Sequence, residues 1–276
     1  MAVSKPLLKY KITSNIKLKC RIDLGQLLLT DAERRRFDEN WDAFLASDPC
    51  NQKIFKLGKR YLQYESEQLI PKKKNERPSV LLVLGNPASH SVHAGMFFSF
   101  EKNRKEHRFW KSILKPAAIL DLPEVKSGSI SKMNQQRREQ LWNLDYNGPY
   151  RIGLSVFVTM PSAPGGKWGG VAGVQKLIGI RALRRIEEAE LERIRKIAKQ
   201  FLGSDGQIIV FQKNAWNALR SDDDPTYRLE LANSGLLQGR LNGSFGIPIL
   251  GVPPTRLSGP CCKILSTIAS ARKGAE

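Results

Sequence analysis

The chain is poor in the residue types that hold metals, with four cysteines and three histidines among 276 residues. They are Cys20, Cys50, Cys261, Cys262, His90, His93 and His107. No Cys-x-x-Cys pair occurs, and the adjacent cysteines near the end of the chain cannot readily ligate one metal. No histidine lies at zinc-ligand spacing from a cysteine. We therefore expect no metal and no cofactor, and we interpret the thiols as buried or incidental.

Long apolar runs are also absent. No stretch approaches the roughly 18 apolar residues that a membrane span requires. The opening segment is interrupted by Lys5, Pro6, Lys9 and Lys11, so it lacks the apolar core of a signal peptide. We therefore predict an intracellular protein with no membrane partner. It would be cytoplasmic or nuclear, and associated with the nucleoid if the source is prokaryotic. We also expect a monomer.

Acidic residues are few relative to basic ones. Lysine and arginine number 45 against 26 aspartates and glutamates, which gives a net charge of +19 and a pI near 10.0. Such an excess favours a polyanionic partner, because neutralising phosphates releases condensed counterions. Charge alone does not separate a nucleic-acid enzyme from a ribosome-associated or merely soluble basic protein.

Residues 1–78 are predicted to be a helical N-terminal extension that ends in a basic linker. A helix should begin at Asp31 after Thr30, because aromatic residues then recur at helical spacing. These core-facing residues are Phe37, Trp41 and Phe44. A second amphipathic helix is predicted over Gln52–Gln68. The proline-bracketed segment Pro71–Pro78 is read as the charged linker.

Residues 79–276 are predicted to form an α/β domain. Apolar runs without period-two alternation indicate strands that are covered on both faces of a parallel sheet. Helical patterns fall between them, over Lys132–Leu144 and Ala182–Phe201. This alternation predicts a three-layer α/β/α domain with a short central parallel sheet of four strands. The predicted strands are Ser79–Leu84, Gly153–Met160, Gln207–Phe211 and Phe245–Val252.

Polar and aromatic residues follow the first of these strands. Asn86 lies in a sharp turn at the strand's carboxyl end, which is the usual ligand position in open α/β sheets. The next segment carries Phe97, Phe98 and Phe100 and ends in the helical patch His107–Lys111. Aromatic rings beside a strand-end amide suggest a slot for a flat ring.

Two further segments are candidates for phosphate contacts. The loop of residues 161–170 is rich in glycine and carries Lys167, so its backbone amides could approach a phosphate closely. A flexible surface loop is the alternative. Lys213 and Asn214 follow a predicted strand at the start of a helix, where unpaired amides and the helix dipole favour an anion. The alternative there is an ordinary helix cap.

Four blocks of the sequence resemble the uracil-DNA glycosylase superfamily, most of all its mismatch-specific uracil/thymine branch. In that family they are a strand with a Gly-x-Asn-Pro turn and an Asn-Arg-Phe-Trp-Lys patch, a second strand with a Pro-rich loop, a strand entering a helix, and a last strand with a minor-groove wedge. All four occur here in the same order. They are Leu84–Lys111, Gly153–Pro164, Ile208–Leu219 and Ile249–Ser258.

The resemblance implies a DNA glycosylase of base excision repair, which hydrolyses the N-glycosidic bond of uracil or a related deaminated or mispaired base. The base must be flipped out of the duplex, and the partner is damaged or mismatched duplex DNA or single-stranded DNA. Asn86 would orient the catalytic water, and Leu257 would be the wedge. The implied base-binding residues are Gly85, Pro87, Phe98, Phe100 and Thr159. The implied DNA contacts are Ser162, Lys167, Lys213, Asn214, Thr255, Arg256, Leu257 and Ser258.

Two positions depart from the family pattern. Pro253 stands where the last motif supplies a His or Asn, and proline has neither a polar side chain nor an amide proton. The base-reading Asn of the second strand is replaced in the region of Thr159. Losing a donor aimed at developing negative charge typically costs about 10²–10³ in rate. A non-catalytic DNA-binding or damage-sensing protein on the same scaffold therefore stays open, as does an RNA-associated protein.

Overall fold

The structure is a computed structural model, which describes residues 6–13, 17–244 and 246–273. These residues form a mixed α/β chain that divides into two compact units. Unit 1 contains the described residues up to Gln68 together with Gly85–Phe97 and Val156–Arg193. Unit 2 contains Leu69–Leu84, Phe98–Ser155 and the described residues from Ile194 onward. The chain thus crosses between units several times, which differs from the division at residue 78 suggested by the sequence.

Unit 1 contains an antiparallel sheet in the N-terminal segment. Its strands are β1 (Leu8–Ile12), β2 (Lys17–Asp23), β3 (Phe55–Leu57) and β4 (Tyr61–Leu69). β2 pairs with β1 and β4, and β3 pairs with β4, in each case antiparallel. The prediction of a helix over Gln52–Gln68 is therefore wrong for most of its length. Leu62 and Tyr64 are buried while Gln63 between them is exposed, which is the period of a strand.

The helices of unit 1 include the one predicted after Thr30. α2 begins at Asp31, and Thr30 and Glu33 form a reciprocal capping box. Phe37, Trp41 and Phe44 are all buried, as predicted, and the first two rings stack with centroids 5.3 Å apart. The helices of unit 1 are α1 (Leu24–Leu27), α2 (Asp31–Ala46), α3 (Asn51–Ile54), α4 (Ser89–Ala94), α6 (Gly170–Ile178) and the first part of α7 (Ile180–Phe201). A 3₁₀ turn covers Gly166–Trp168. The helix α5 (Ile130–Asn143) belongs to unit 2.

Unit 2 contains a second group of strands. They are β5 (Ser79–Leu84), β6 (Arg151–Val156), β7 (Gln207–Val210), β8 (Gln238–Arg240) and β9 (Pro248–Gly251). The last residue of β6, Val156, belongs to unit 1. Their order is β6-β5-β7-β9-β8. β7 pairs in parallel with β5 and β9, while β8 is antiparallel to β9 and was not predicted. Every residue of β5 is buried, which explains its continuous apolar sequence.

The helices of unit 2 agree with the sequence pattern where one was predicted. They are α5 (Ile130–Asn143), a π-helix (Phe109–Leu114), the end of α7, α8 (Lys213–Leu219), α9 (Leu229–Ser234) and α10 (Ser258–Lys273). α5 and α7 confirm the helices predicted over Lys132–Leu144 and Ala182–Phe201. Residues 70–78 have no regular secondary structure, as expected of a linker. Among the described residues, no helix combines the length and apolar character of a membrane span.

The end of β4 buries polar groups that the rest of unit 1 only partly satisfies. Ser66 and Glu67 are buried, and the Oγ of Ser66 and the Oε2 of Glu67 have no hydrogen-bond partner. Removal from water without a partner disfavours an ionised carboxylate. Burial accordingly raises the pKa of Glu67 from 4.5 to about 8.

This buried carboxyl group predicts a pH-dependent stability. Between about pH 4.5 and 8 the folded chain holds a proton on Glu67 that the unfolded chain has lost. The stability contributed by protonated Glu67 is therefore complete below the unfolded pKa and is lost as the pH rises toward 8. We expect Glu67→Gln to remove a decline of up to about 1.4 kcal/mol per pH unit in the free energy of unfolding.

Chemical denaturation of both proteins from pH 5 to 8 measures this difference. Glu65→Gln, on the same strand, is the matched control, and it should keep the decline of the wild type. Parallel pH profiles for the wild type and Glu67→Gln would contradict the assignment.

Candidate functional site

The turn after β5 is fixed in unit 1 by the segment that follows β6. The carbonyl oxygen of Gly85 accepts hydrogen bonds from the backbone N–H groups of residues 157–158, at 3.0 and 2.9 Å. The N–H of Ser162 donates to the carbonyl of Pro87 at 3.2 Å, and the carbonyl of Ser162 accepts from the N–H of Ser89 at 2.9 Å. Two chain segments far apart in sequence thus hold the turn from both ends.

Asn86 sits in the middle of this turn with its amide nitrogen anchored. Its Nδ2 donates to the carbonyl oxygen of Met160 at 3.1 Å and to the Oγ of Ser162 at 2.9 Å. Both N–H donors are used, so the half-buried side chain is fixed in orientation. The Oδ1 atom accepts no hydrogen bond from the described residues, and it can accept one from a water molecule.

Ser162 is a buried hydrogen-bond partner of Asn86. Its side chain is buried, accepts from Asn86 and donates to the carbonyl of Ala163 at 3.4 Å. Its backbone amide is also engaged. The polar atoms of Ser162 are thus engaged within unit 1, and its predicted contact with DNA stays a prediction.

The polar atoms of Thr159 also form hydrogen bonds with buried residues of unit 1. Its N–H donates to the Oε1 of Glu190 at 2.7 Å, and its hydroxyl bonds the same carboxylate and the Tyr64 hydroxyl, the latter at 2.9 Å. The residue is fully buried. Thr159 therefore connects the segment after β6 to the buried polar network, and its predicted base-binding role stays a prediction.

A buried ion pair on α7 organises that network. The Nε of Arg193 donates to the Oε2 of Glu190 at 2.6 Å, and neither side chain is exposed. Arg193 also donates to the Oε1 of Gln68 at 2.8 Å and to the carbonyl oxygen of Val156. The pair therefore binds both the end of β4 and the segment that carries Thr159. Nothing in the sequence pattern of α7 distinguished these two charges from the exposed ones around them.

The glycine-rich loop presents two lysines beside one aromatic ring. The ammonium nitrogens of Lys167 and Lys176 lie 5.7 and 5.0 Å from the centre of the Trp168 ring. A hydrogen-bonding contact with Lys167 lowers the pKa of Lys176. A Cβ at Gly165 or Gly166 would meet nothing within 4 Å, so the loop backbone is open. The structure thus adds Lys176, on α6, to the predicted position of Lys167.

Phe98, in unit 2, lies in an aromatic cluster with a strained backbone. Its φ of 47° is unusual for a residue with a side chain, and Trp110 Nε1–H donates to its carbonyl oxygen at 3.0 Å. Its ring stacks against Phe109 and His107, with centroids 4.0 and 4.9 Å apart. An enforced φ of this kind is common at functional sites, where surrounding contacts hold it.

Phe100 is held by α5 within the same unit. Its N–H donates to the Oδ1 of Asn134 at 3.0 Å, and the guanidinium of Arg137 lies 5.7 Å from the ring centre. Arg137 is buried and forms an ion pair with Glu106. Phe100 and Glu106 therefore both contact residues of α5. The predicted contact of Phe100 with a base stays a prediction.

Lys213 and Asn214 begin α8 as predicted, but the helix end is already capped. The side-chain oxygen of Gln212 accepts from the N–H of Ala215 at 2.9 Å. This is the ordinary cap that the sequence left open as an alternative. The ammonium group of Lys213 is exposed and has no ion pair with the residues that the structure describes.

The segment after β9 forms the tight turn expected of a wedge. The N–H of Leu257 donates to the carbonyl of Pro254 at 2.8 Å, and α10 begins at Ser258. Leu257 is half-buried, and Arg256 beside it is exposed. Pro253 is buried and contributes no side-chain polar group. Arg256 is exposed and Thr255, Leu257 and Ser258 are half-buried, so their predicted DNA contacts stay predictions.

In the described part of the chain, no cluster of three or more His, Cys, Asp or Glu side chains could hold a metal ion. All four cysteines are free thiols. Burial is the main cause that raises the pKa of Cys20 and of Cys261 to about 12, so these two stay protonated and unreactive at neutral pH.

A scan against models of protein families found no match, and a search of curated proteins found no significant similarity.

Breaking the buried ion pair should destabilise the protein strongly. Arg193→Met leaves the Glu190 carboxylate buried without its partner, which typically costs about 3–5 kcal/mol. We expect a loss of that size in the free energy of unfolding, measured by chemical denaturation. Arg184→Met, at an exposed position of the same helix, should change it by no more than about 0.5 kcal/mol. Equal effects of the two substitutions would contradict the central role of the pair.

Proposed function

We propose that the protein is a DNA glycosylase of the uracil-DNA glycosylase type, acting on uracil or another deaminated or mispaired base. The proposal extends to the fold: the parallel strands β5, β7 and β9 with their helices would correspond to the central sheet of a three-layer α/β/α glycosylase domain. The family resemblance of the sequence supplies the assignment. The orientation of Asn86 is the observation that supports it best.

The anchored amide suits a residue that positions water. Because Nδ2 is held by Met160 and Ser162, rotation of the side chain would break two hydrogen bonds. The free Oδ1 can accept a hydrogen bond from a water molecule and direct the lone pair of that water toward the sugar C1′. An amide is a poor general base, so the rate would depend mainly on stabilising the oxocarbenium-like sugar and the departing base anion.

The remaining roles follow the resemblance together with the contacts of each residue. Phe98 and Phe100 are the candidates for stacking on the base, and Leu257 is the candidate wedge. Exposed cations would contact phosphates, and Lys176 joins the predicted set. These cations are Lys167, Lys176, Lys213 and Arg256. Thr159 and Ser162 act through the scaffold that orients Asn86 and not through the substrate.

A second function is favoured by Pro253. A buried proline offers no group to stabilise a departing base anion at the position where the family supplies a His or Asn. A protein on the same scaffold that binds damaged DNA without cleaving it would tolerate this residue. The enzymatic and non-catalytic functions share the DNA partner and differ in turnover.

The first test removes the amide of Asn86. Asn86→Ala should lower single-turnover cleavage of a uracil-containing duplex by about two to four orders of magnitude, because the water loses its positioning group. DNA binding should be nearly unchanged. Ser162→Ala is the matched control: it removes one anchor of Nδ2 but leaves Oδ1, so a loss of only about tenfold is expected. Equal losses from both substitutions would indicate that Asn86 only supports the turn.

The panel of substrates should include several deaminated and mispaired bases, with cleavage revealed by alkali. A wild type that binds duplex DNA but cleaves none of these substrates would reject the glycosylase in favour of the non-catalytic protein. Preference for structured RNA over duplex DNA would reject both.

The second test concerns the wedge. Leu257→Ala should reduce turnover on a paired lesion about tenfold or more while sparing a single-stranded substrate, because only a duplex leaves a gap to be filled. Leu236→Ala is the control, since that leucine is 65% exposed. Comparable losses on single-stranded and duplex substrates would mean that Leu257 only packs against its neighbours.

A further inference from the structure

We propose that the outer face of the N-terminal sheet of unit 1 binds the phosphate backbone of duplex DNA. This face, called the basic sheet face below, carries five exposed cations on three strands. They are Lys9 and Lys11 of β1, Lys19 and Arg21 of β2, and Lys56 of β3. The segment lies outside the four blocks that resemble a glycosylase.

The antiparallel register brings these cations together. Lys9 lies directly opposite Arg21, and Lys11 lies directly opposite Lys19. Directly opposed residues project on the same face of a sheet, and neighbouring strands are only about 4.8 Å apart. Along each strand, same-face residues repeat at roughly 6.8 Å. Four positive charges therefore occupy a patch two strands wide.

The acidic groups of the same sheet do not neutralise this patch. Glu65 lies directly opposite Lys19, but its carboxylate is paired with Lys17 at 2.9 Å. The carboxylate of Asp23 is paired with Arg60 at 2.9 Å. Glu67 is buried with a raised pKa and is largely protonated at neutral pH. Among the described residues, Lys9, Lys11, Lys19 and Arg21 have no carboxylate partner.

Like charges directly opposite one another destabilise a sheet by about 0.2–1 kcal/mol per pair. Two such pairs lie on adjacent strands here, and their repulsion is a cost to folding. An external polyanion removes the repulsion, because its phosphates take the place of the missing carboxylates. This charge complementarity identifies the partner as a phosphate backbone.

The composition of the face favours a duplex over a single strand or a bilayer. Single-strand binders stack bases on aromatic side chains, but the ring of Tyr61 is already covered by guanidinium groups, with Arg21 at 4.6 Å and Arg60 at 5.2 Å. Same-face positions carry no apolar row that could enter a membrane. The choice of DNA over RNA rests on the proposed function.

The test measures how DNA affinity depends on salt. The variant Lys9→Gln, Lys11→Gln, Lys19→Gln and Arg21→Gln should shallow the slope of log Kobs against log salt by about 3 to 4 units on an undamaged duplex. Between 50 and 200 mM salt, its affinity should therefore fall about 100-fold less than that of the wild type. The control loses the same number of charges on α7, through Arg181→Gln, Arg184→Gln, Lys196→Gln and Lys199→Gln, and should change the slope by less than one unit.

Melting curves separate binding from folding. Because the substitutions relieve opposed like charges, the melting temperature should stay the same or rise while the DNA slope falls. An unchanged slope, or a slope changed equally by the α7 control, overturns the proposal. A loss of affinity that is confined to structured RNA or to vesicles of anionic lipid also overturns the proposal. The undamaged duplex carries no excisable base, so the outcome is independent of whether the protein is a glycosylase.

Discussion

Glu190 and Arg193 place opposite charges one helical turn apart on α7, where neither side chain reaches solvent. A buried charge must be paired and fully hydrogen-bonded, so this ion pair dictates what surrounds it. The carboxylate takes the N–H and the hydroxyl of Thr159, and the guanidinium takes the carbonyl of Val156 and the amide of Gln68. These contacts consequently fix the path of the segment after β6 through unit 1.

That path decides the chemistry available at Asn86. Once the segment is fixed, the carbonyl of Met160 and the hydroxyl of Ser162 both point at Nδ2, and only Oδ1 remains as an open acceptor. The same constraint makes Thr159 and Ser162 parts of the scaffold. A polar residue near a site is thus not necessarily exposed to a ligand, because buried polar atoms must first satisfy each other.

Charge is distributed by a different rule. Inside unit 1 the buried charges of Glu190 and Arg193 are matched to each other, whereas the basic sheet face concentrates like charges without a carboxylate partner among the described residues. A fold with a net charge of +19 carries that excess at its surface, where water and phosphates can solvate it. The N-terminal strands therefore add a binding surface where the sequence suggested only a helical extension.

Local sequence patterns are sufficient for elements whose burial depends on neighbours in the chain. These are β5 and β7, with apolar runs, and α2, α5 and α7, with helical periodicity and, in α2, a capping box. The sign of the net charge and the turn at Asn86 also follow from the sequence. The helix predicted over β4 was wrong, because alternation over residues 61–69 competes with an amphipathic helical pattern in the same stretch. Which polar atoms stay open depends on long-range contacts. The partners of Asn86 lie 74 and 76 residues away and that of Thr159 lies 95 residues away, so no local pattern carries this information.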